Sequence, residues 1–268
     1  MDKKKIVMEM YDSLVEREWE RLSRHPFERE ITLRFMDKYI KPGDSILDVS
    51  GGPGRYTVHY AKKGCDVTLV DLSEKNVEFA EQMAAKENVK IKAFQGDACF
   101  VDKIVTGQYE HVFLMGALYH LQNEKERIQA VKASLKLLKP GGYFYVSFIT
   151  NVAGVLDALD SDPAYIMRED SDFKQYIECF LNDEDFTGLG FTYAHFTAPK
   201  NVLPFFKKFN LEKLHLFGQE SVVTQAERRW RDQPEEVINK WIDFCVKIAE
   251  REDLLSHSNH LMYIGRKL

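Results

Sequence analysis

The chain has 268 residues with 37 basic and 42 acidic side chains, a formal net charge of -5. Hydrophobic residues make up 44% and charged residues 29%, the balance of a soluble globular chain, which excludes a disordered or fibrous one. Domains usually run to about 100–200 residues, so the length fits one enlarged domain or a core with insertions. No uncharged stretch reaches the roughly 20 apolar residues of a bilayer span. After Lys3, Lys4 and Lys5, the acids Glu9 and Asp12 arrive before a signal-peptide core can form. Cys65, Cys99, Cys179 and Cys245 form no C-x-x-C pair, so neither a disulfide framework nor a zinc site is expected, and no metal is assigned. The expectation is a cytoplasmic chain with no membrane and no nucleic-acid partner, since no basic run offers phosphate neutralisation.

In chain order, Tyr11, Leu14, Val15, Trp19 and Leu22 recur at helical spacing within residues 6–22. A second helix over 26–39 stops at Lys41-Pro42-Gly43. The period then changes. Short apolar runs at 45–49, 67–70 and 91–94 alternate with helical stretches at 56–63 and 74–86. A strand at 111–115, a helix at 125–138 and a strand at 143–149 after Pro140-Gly141-Gly142 continue the alternation. Strand and helix in turn mean parallel pairing through crossovers. Residues 150–200 dilute the pattern with helices at 152–159 and 172–181 and an acidic loop at 182–190. A helix at 202–209, a strand at 211–217, helices at 222–231 and 235–251 and a last strand at 260–266 close the chain. Residues 143–217 hold about half of all Phe, Tyr and Trp, which reads as core packing or as the aromatic wall of a pocket.

The strongest motif is Leu47-Asp48-Val49-Ser50-Gly51-Gly52-Pro53-Gly54 between the first strand and a helix. Glycines there let backbone approach a ligand, and the helix offers free N–H groups. The dinucleotide pattern G-x-G-x-x-G fails, because Thr57 stands where its third glycine belongs. Asp48 would repel a pyrophosphate but suits a cofactor with an ammonium and a sulfonium.

This segment resembles motif I of the class I S-adenosylmethionine-dependent methyltransferases, with Ser50 in place of the first glycine. Val67-Thr68-Leu69-Val70-Asp71, Gln95-Gly96-Asp97-Ala98, residues 109–113 and Leu138-Lys139-Pro140-Gly141-Gly142 resemble the later motifs in order and spacing, from about 44 to 149. The resemblance implies an α/β, doubly wound, Rossmann-like, mostly parallel seven-stranded sheet with an antiparallel last strand, plus N-terminal helices and helical insertions. It implies S-adenosyl-L-methionine as cofactor, with Asp71 at the ribose, Asp97 and Ala98 at the adenine, and Asp48, Ser50, Gly51, Gly52, Gly54, Leu72, Met115 and Gly116 around the rest. Read without it, Asp71 could cap the next helix, Asp97 could be a surface acid and Asp48 could pair with a lysine.

On the acceptor side, ligands in open α/β sheets lie beyond the carboxyl ends of the strands, which singles out Met115 to Leu121. His120, with Tyr119, is the catalytic candidate as base or orienter, against a half-exposed histidine at a helix start. Tyr11 could close over the methionine moiety or pack in the core, and Tyr193 and His195 could line the acceptor pocket. Residues 114–117 read Leu-Met-Gly-Ala rather than the D/N-P-P-Y/F of amino-methylating nucleic-acid enzymes, and no proline precedes a cysteine. The strand ending is similar to that of quinone-biosynthesis and related small-molecule methyltransferases. The expectation is one domain: a helical cap over 1–40, a cofactor half over 44–149, an insertion acting as substrate lid over 150–200, and closing elements over 201–268. It would methylate O, N or C of a small molecule. A silent cofactor-binding module, a protein or RNA methyltransferase and a homodimer stay open.

Overall fold

The computed structural model describes residues 3–230 and 232–268. Three helices lead in: α1 (Lys3–Asp12), α2 (Val15–Arg24) and α3 (Pro26–Met36). The apolar spacing predicts one helix over 6–22, but the chain turns at Ser13 and Leu14. There the Ser13 hydroxyl donates to the Met10 carbonyl at 2.6 Å, a local bond that competes with helix continuation. The break lets both α1 and α2 contribute side chains to the central cavity described below.

The alternating unit follows as β1 (Ser45–Val49), α4 (Arg55–Lys62), β2 (Asp66–Asp71), α5 (Glu74–Lys86), β3 (Lys92–Gln95), α6 (Val101–Ile104), β4 (Tyr109–Leu114), α7 (Glu124–Leu137) and β5 (Leu138–Ile149). Pro140-Gly141-Gly142 falls inside β5 rather than before it, opposite a register shift between Tyr109 and His111. Then come α8 (Ala153–Ser161), α9 (Ser171–Leu181), β6 (Phe186–Leu189), β7 (Tyr193–Phe196), α10 (Pro199–Phe206), β8 (Leu211–Gly218), α11 (Glu235–Ile248) and β9 (His260–Lys267). Residues 221–230 wind as 3-10 turns instead of the helix expected over 222–231, and position 231 lies outside the described residues.

The seven-stranded sheet has the order β3-β2-β1-β4-β5-β9-β8. All its pairs are parallel except those of β9, which runs antiparallel between β5 and β8. Chain order reverses at β1, with β2 and β3 on one side and β4 and β5 on the other, and such a switch point opens a crevice at the carboxyl ends of the strands. Alternate residues feed the two faces: Leu47, Val49, Phe144 and Val146 join one core, and Ile46, Phe113, Tyr145 and Phe217 join the other. The acidic segment read as a loop contains β6, which pairs with β7 in a separate hairpin. Phe186 faces Phe196 across it, and both pack on Phe173, Tyr176 and Ile149 in a small third core. Acidic and glycine residues around β6 masked that strand. Among the described residues no helix is long and apolar enough to cross a membrane.

Candidate active site

The chain leaves β1 through Ser50-Gly51-Gly52-Pro53-Gly54 and enters α4. A side chain at Gly51 would meet the Asp48 carboxylate at 2.7 Å, and one at Gly116 would meet the Ser50 carbonyl at 2.5 Å. Glycine at both positions therefore lets the turns after β1 and β4 close into a narrow crevice. Ser50 itself holds a φ of 59°, a left-handed conformation that costs a residue with a side chain roughly 1–2 kcal/mol.

Two buried carboxylates face this crevice. Among the described residues Asp48 pairs with no lysine; its Oδ2 accepts from the Thr57 hydroxyl at 2.7 Å. Burial, only partly offset by that bond and reinforced by Asp71, pushes its pKa up to about 7. Asp71 accepts from the N–H of Gly52 at 2.9 Å, the N–H of Ser73 at 2.9 Å and Asn76 Nδ2 at 3.1 Å. Ser73 caps α5 by accepting from the Asn76 N–H at 3.0 Å, so Asp71 is spent on the glycine loop rather than on the helix. Burial raises its pKa as well. A pair of buried acids beside a glycine cradle calls for a cationic ligand with hydroxyls, and this donor set fits the ammonium and ribose of S-adenosylmethionine. Further along, Asp97 accepts from the Cys99 N–H at 2.8 Å and pairs with Lys4 of α1 at 2.9 Å. Burial opposes its ionisation, but these partners outweigh it and its pKa falls. Lys4 also reaches Glu126 at 2.8 Å.

After β4, Met115, Gly116 and Ala117 lead into the short turn Leu118–His120. His120 Nε2 lies 2.7 Å from the Tyr11 hydroxyl. Burial, against only the Tyr193 backbone, pushes the imidazole down to about 4, so the ring is neutral and accepts from Tyr11. Tyr119 packs on the third core. Beside it, Arg21 donates to both oxygens of Glu28, at 2.6 and 3.0 Å. Burial resists ionisation of Glu28, yet Arg21 and His260 outweigh it and hold the carboxyl down to about 2. Glu220, just beyond β8, receives His260 Nδ1 at 2.5 Å, the His260 N–H at 3.0 Å and the Ser258 hydroxyl at 2.7 Å.

One cavity of about 1090 Å³ joins these groups. That exceeds the usual 300–1,000 Å³ of a single-ligand pocket and leaves room for an acceptor beside the cofactor. Tyr11, Asp48, Ser50, Gly51, Gly52, Asp71, Leu72, Asp97, Ala98, Met115, Gly116, Tyr119 and His120 all line it. Three expected residues stand elsewhere. Gly54 lies behind the loop, where a side chain would meet Ala80 at 2.8 Å. His195 turns to Thr187 at 2.7 Å and Asp185 at 3.5 Å, and the Tyr193 ring sits under Lys3 at 4.9 Å. Conversely, Arg21, Glu28, Glu220 and His260 line the cavity without any local motif to mark them. Potential ligand atoms of Glu28, Glu220 and His260 lie within 4.8 Å of one another, but Arg21, Ser258 and the imidazole itself already engage both carboxylates.

A seven-stranded sheet of this order, with a glycine turn after its first strand, Asp48 near the end of that strand and Asp71 ending the second, is the fold and site pattern of the class I S-adenosylmethionine-dependent methyltransferases. Residues 46–142 match the model of the methyltransferase domain family, and S-adenosylmethionine is the cofactor of this class. The chain is 33% identical over 108 residues to a ubiquinone biosynthesis O-methyltransferase of Bordetella avium, covering 39% of this chain and 42% of that protein. It is 27% identical over 140 residues to the Caulobacter vibrioides protein of the same name, covering 51% and 54%. The chain thus spans about half the length of the curated relatives it matches. Among solved structures, the magnesium protoporphyrin IX methyltransferase of Synechocystis with bound S-adenosylhomocysteine superposes over 100% of both chains, with a TM-score of 0.59 and 13% identity. At that identity the likeness is one of fold alone.

Proposed function

We propose that this chain methylates a small molecule, at a hydroxyl oxygen carried on an aromatic ring. The observation that carries the reading is the single cavity running from Asp71 and the glycine loop, past Tyr11 and His120, to aromatic walls contributed by residues 150–200. Asp71 and Leu72 would hold the cofactor ribose, Asp97 and Ala98 its adenine, and Asp48 its ammonium. When bound, the cofactor supplies an electrophilic methyl group with a thioether leaving group built in. The protein's work is then alignment and exclusion of water. Helix α1 serves that end, pinned at Asp97 through Lys4 and at His120 through Tyr11. The helical cap over 1–40 and the lid over 150–200 act with the cofactor half as one domain in this reading. The oxygen acceptor is supported by the names of the curated relatives and by the aromatic lining.

Calorimetric titration with S-adenosylmethionine tests the first half, and release of S-adenosylhomocysteine with a panel of catechols, amines, carboxylates, a peptide and an RNA tests the second. No cofactor binding overturns the reading. Binding without turnover on any acceptor points to a silent cofactor-binding module, and turnover only on the peptide or RNA moves the acceptor class.

A further inference from the structure

His260 opens β9 directly beside Ile149, the last residue of β5, so its imidazole stands at the carboxyl edge of the sheet on the wall of the cavity. Its Nδ1 is committed to Glu220 Oε1 at 2.5 Å, while the other Glu220 oxygen is held by the Ser258 hydroxyl and the His260 N–H. A carboxylate fixed this way sets the tautomer, placing the proton on Nδ1 and the basic lone pair on Nε2. We infer that His260, oriented by Glu220, is the general base of this site, and that it takes its proton from a phenolic hydroxyl of the acceptor.

The inference rests on the methyl-transfer reading and deepens it. Among the described residues His120 has no such partner: its Nε2 is engaged by Tyr11 and no carboxylate orients the ring. The acceptor class follows from what a base is for. A carboxylate or a free amine attacks without losing a proton first, whereas a phenol with an ordinary pKa near 10 is a poor nucleophile until its proton is removed. The walls suit a flat ring, with Tyr165, Phe173, Tyr176, Phe186, Phe191 and Phe196 on the cavity. Ser147 Oγ, Gln219 Oε1 and Asn259 Oδ1 also lie at the cavity, buried and without a hydrogen-bond partner among the described residues. They are donors and acceptors for a second ring substituent.

In the step, the acceptor O–H bond breaks and its proton passes to His260 Nε2. The electron pair left on oxygen forms the new bond to the methyl carbon as the carbon–sulfur pair withdraws onto sulfur, and the imidazolium later returns its proton to solvent. The charges that face His260 favour this. Glu220 beyond β8, and Glu28 on α3 with its partners Arg21 and Glu18 on α2 and the nearby His25, leave an excess negative charge that a protonated His260 reduces. Burial opposes protonation of His260, but Glu220 and Glu28 outweigh it and raise its pKa. Turnover should therefore rise with pH through an inflection above the ordinary imidazole value of about 6.5.

The test uses the full chain with S-adenosylhomocysteine bound and catechol as probe, read by ultraviolet difference spectra, together with release of S-adenosylhomocysteine from S-adenosylmethionine and catechol. Bound catechol is expected to show a phenolate band at a pH where free catechol is neutral. His260→Gln, which keeps a donor toward Glu220, should abolish the band and lower kcat by about a hundredfold or more. Its affinity for S-adenosylmethionine should stay within about twofold, a readout that also reports an intact fold. Glu220→Gln should move the inflection of the pH profile to lower pH. The inference is overturned if catechol fails to bind, if His260→Gln keeps the phenolate band or wild-type kcat, or if the profile is flat above pH 5 as a His120 base would make it. Loss of cofactor binding in the wild-type chain would instead sink the methyl-transfer reading itself.

Discussion

The Tyr11 hydroxyl and His120 Nε2 meet at 2.7 Å and tie helix α1 to the turn after β4. Because burial keeps His120 neutral and raises the Tyr11 pKa, the tyrosine donates and the histidine accepts. The bond closes the cleft at its acceptor end, as Lys4 with Asp97 closes it at the adenine end. Tyr11→Phe loses one hydrogen bond of about 1 kcal/mol, so the Kd for S-adenosylmethionine should weaken by roughly fivefold. His120→Ala removes the same bond, so it should weaken that Kd by a similar factor and also lower turnover by about tenfold through a less well-placed acceptor, without moving the pH profile. Calorimetry and product release measure both, and unchanged turnover would remove His120 from the site's work.

Asp48 trades stability for binding. Its carboxyl titrates near 7 in the fold against 3.8 for the free group, chiefly through burial. The folded state thus holds an extra proton between those values, and the cofactor-free protein loses stability as pH rises through that window. Asp48→Asn removes the loss while keeping an acceptor for Thr57. The variant should melt several degrees above wild type at pH 8 and alongside it near pH 4. It should bind S-adenosylmethionine at least about tenfold more weakly, because the ammonium loses its counter-charge. A variant that bound the cofactor as wild type does would take Asp48 out of the cofactor site.

The cofactor half was legible because each of its signals is local: Asp48 to Gly54 on one turn, Asp71 ending β2, Asp97 just after β3. The acceptor half is assembled from distant segments. Arg21 and Glu28 come from α2 and α3, while Glu220 and His260 meet them only because β9 returns antiparallel between β5 and β8. No spacing in the chain announces that meeting. Tyr193 and His195 illustrate the opposite failure. Their aromatic stretch suggests a pocket wall, but period two in β7 sends Phe196 toward the cavity and third core while Tyr193 and His195 point to the other face.

Ser50 and Gly116 make a second test of the crevice. A methyl at Gly116 would lie 2.5 Å from the Ser50 carbonyl, and that contact is backbone, which cannot move aside as a flexible side chain could. Gly116→Ala should force the two turns apart, destabilise the fold by about 1–3 kcal/mol and weaken cofactor binding by tenfold or more. Ser50→Gly acts in the other direction. It relieves a φ of 59° but adds freedom to the unfolded chain, so melting should change little and the Kd for S-adenosylmethionine should hold or tighten. Weaker binding in Ser50→Gly would instead assign the serine hydroxyl a direct contact with the cofactor.

Acid should unfold this protein in two stages. Burial pushes His59, His120 and His195 down to about 4 from 6.5. Each binds a proton more readily in the unfolded chain, so stability is present above 6.5 and is lost as pH falls toward 4. Glu28 and Glu110 come next. For both, burial opposes ionisation, but Arg21 on one and Lys139 with Ser45 on the other hold them down to about 2 from 4.5, and their contribution disappears over that lower window. His260 works in the opposite sense: its pKa is raised, so its contribution is complete below 6.5 and fades as pH climbs through the folded value. Thermal melts across pH should show a steep fall in Tm between 6.5 and 4. His59→Gln, a change on α4 away from the cavity, should shallow that fall without altering cofactor affinity. A Tm that stays level from pH 6.5 to 4 would contradict the buried, neutral state of these histidines.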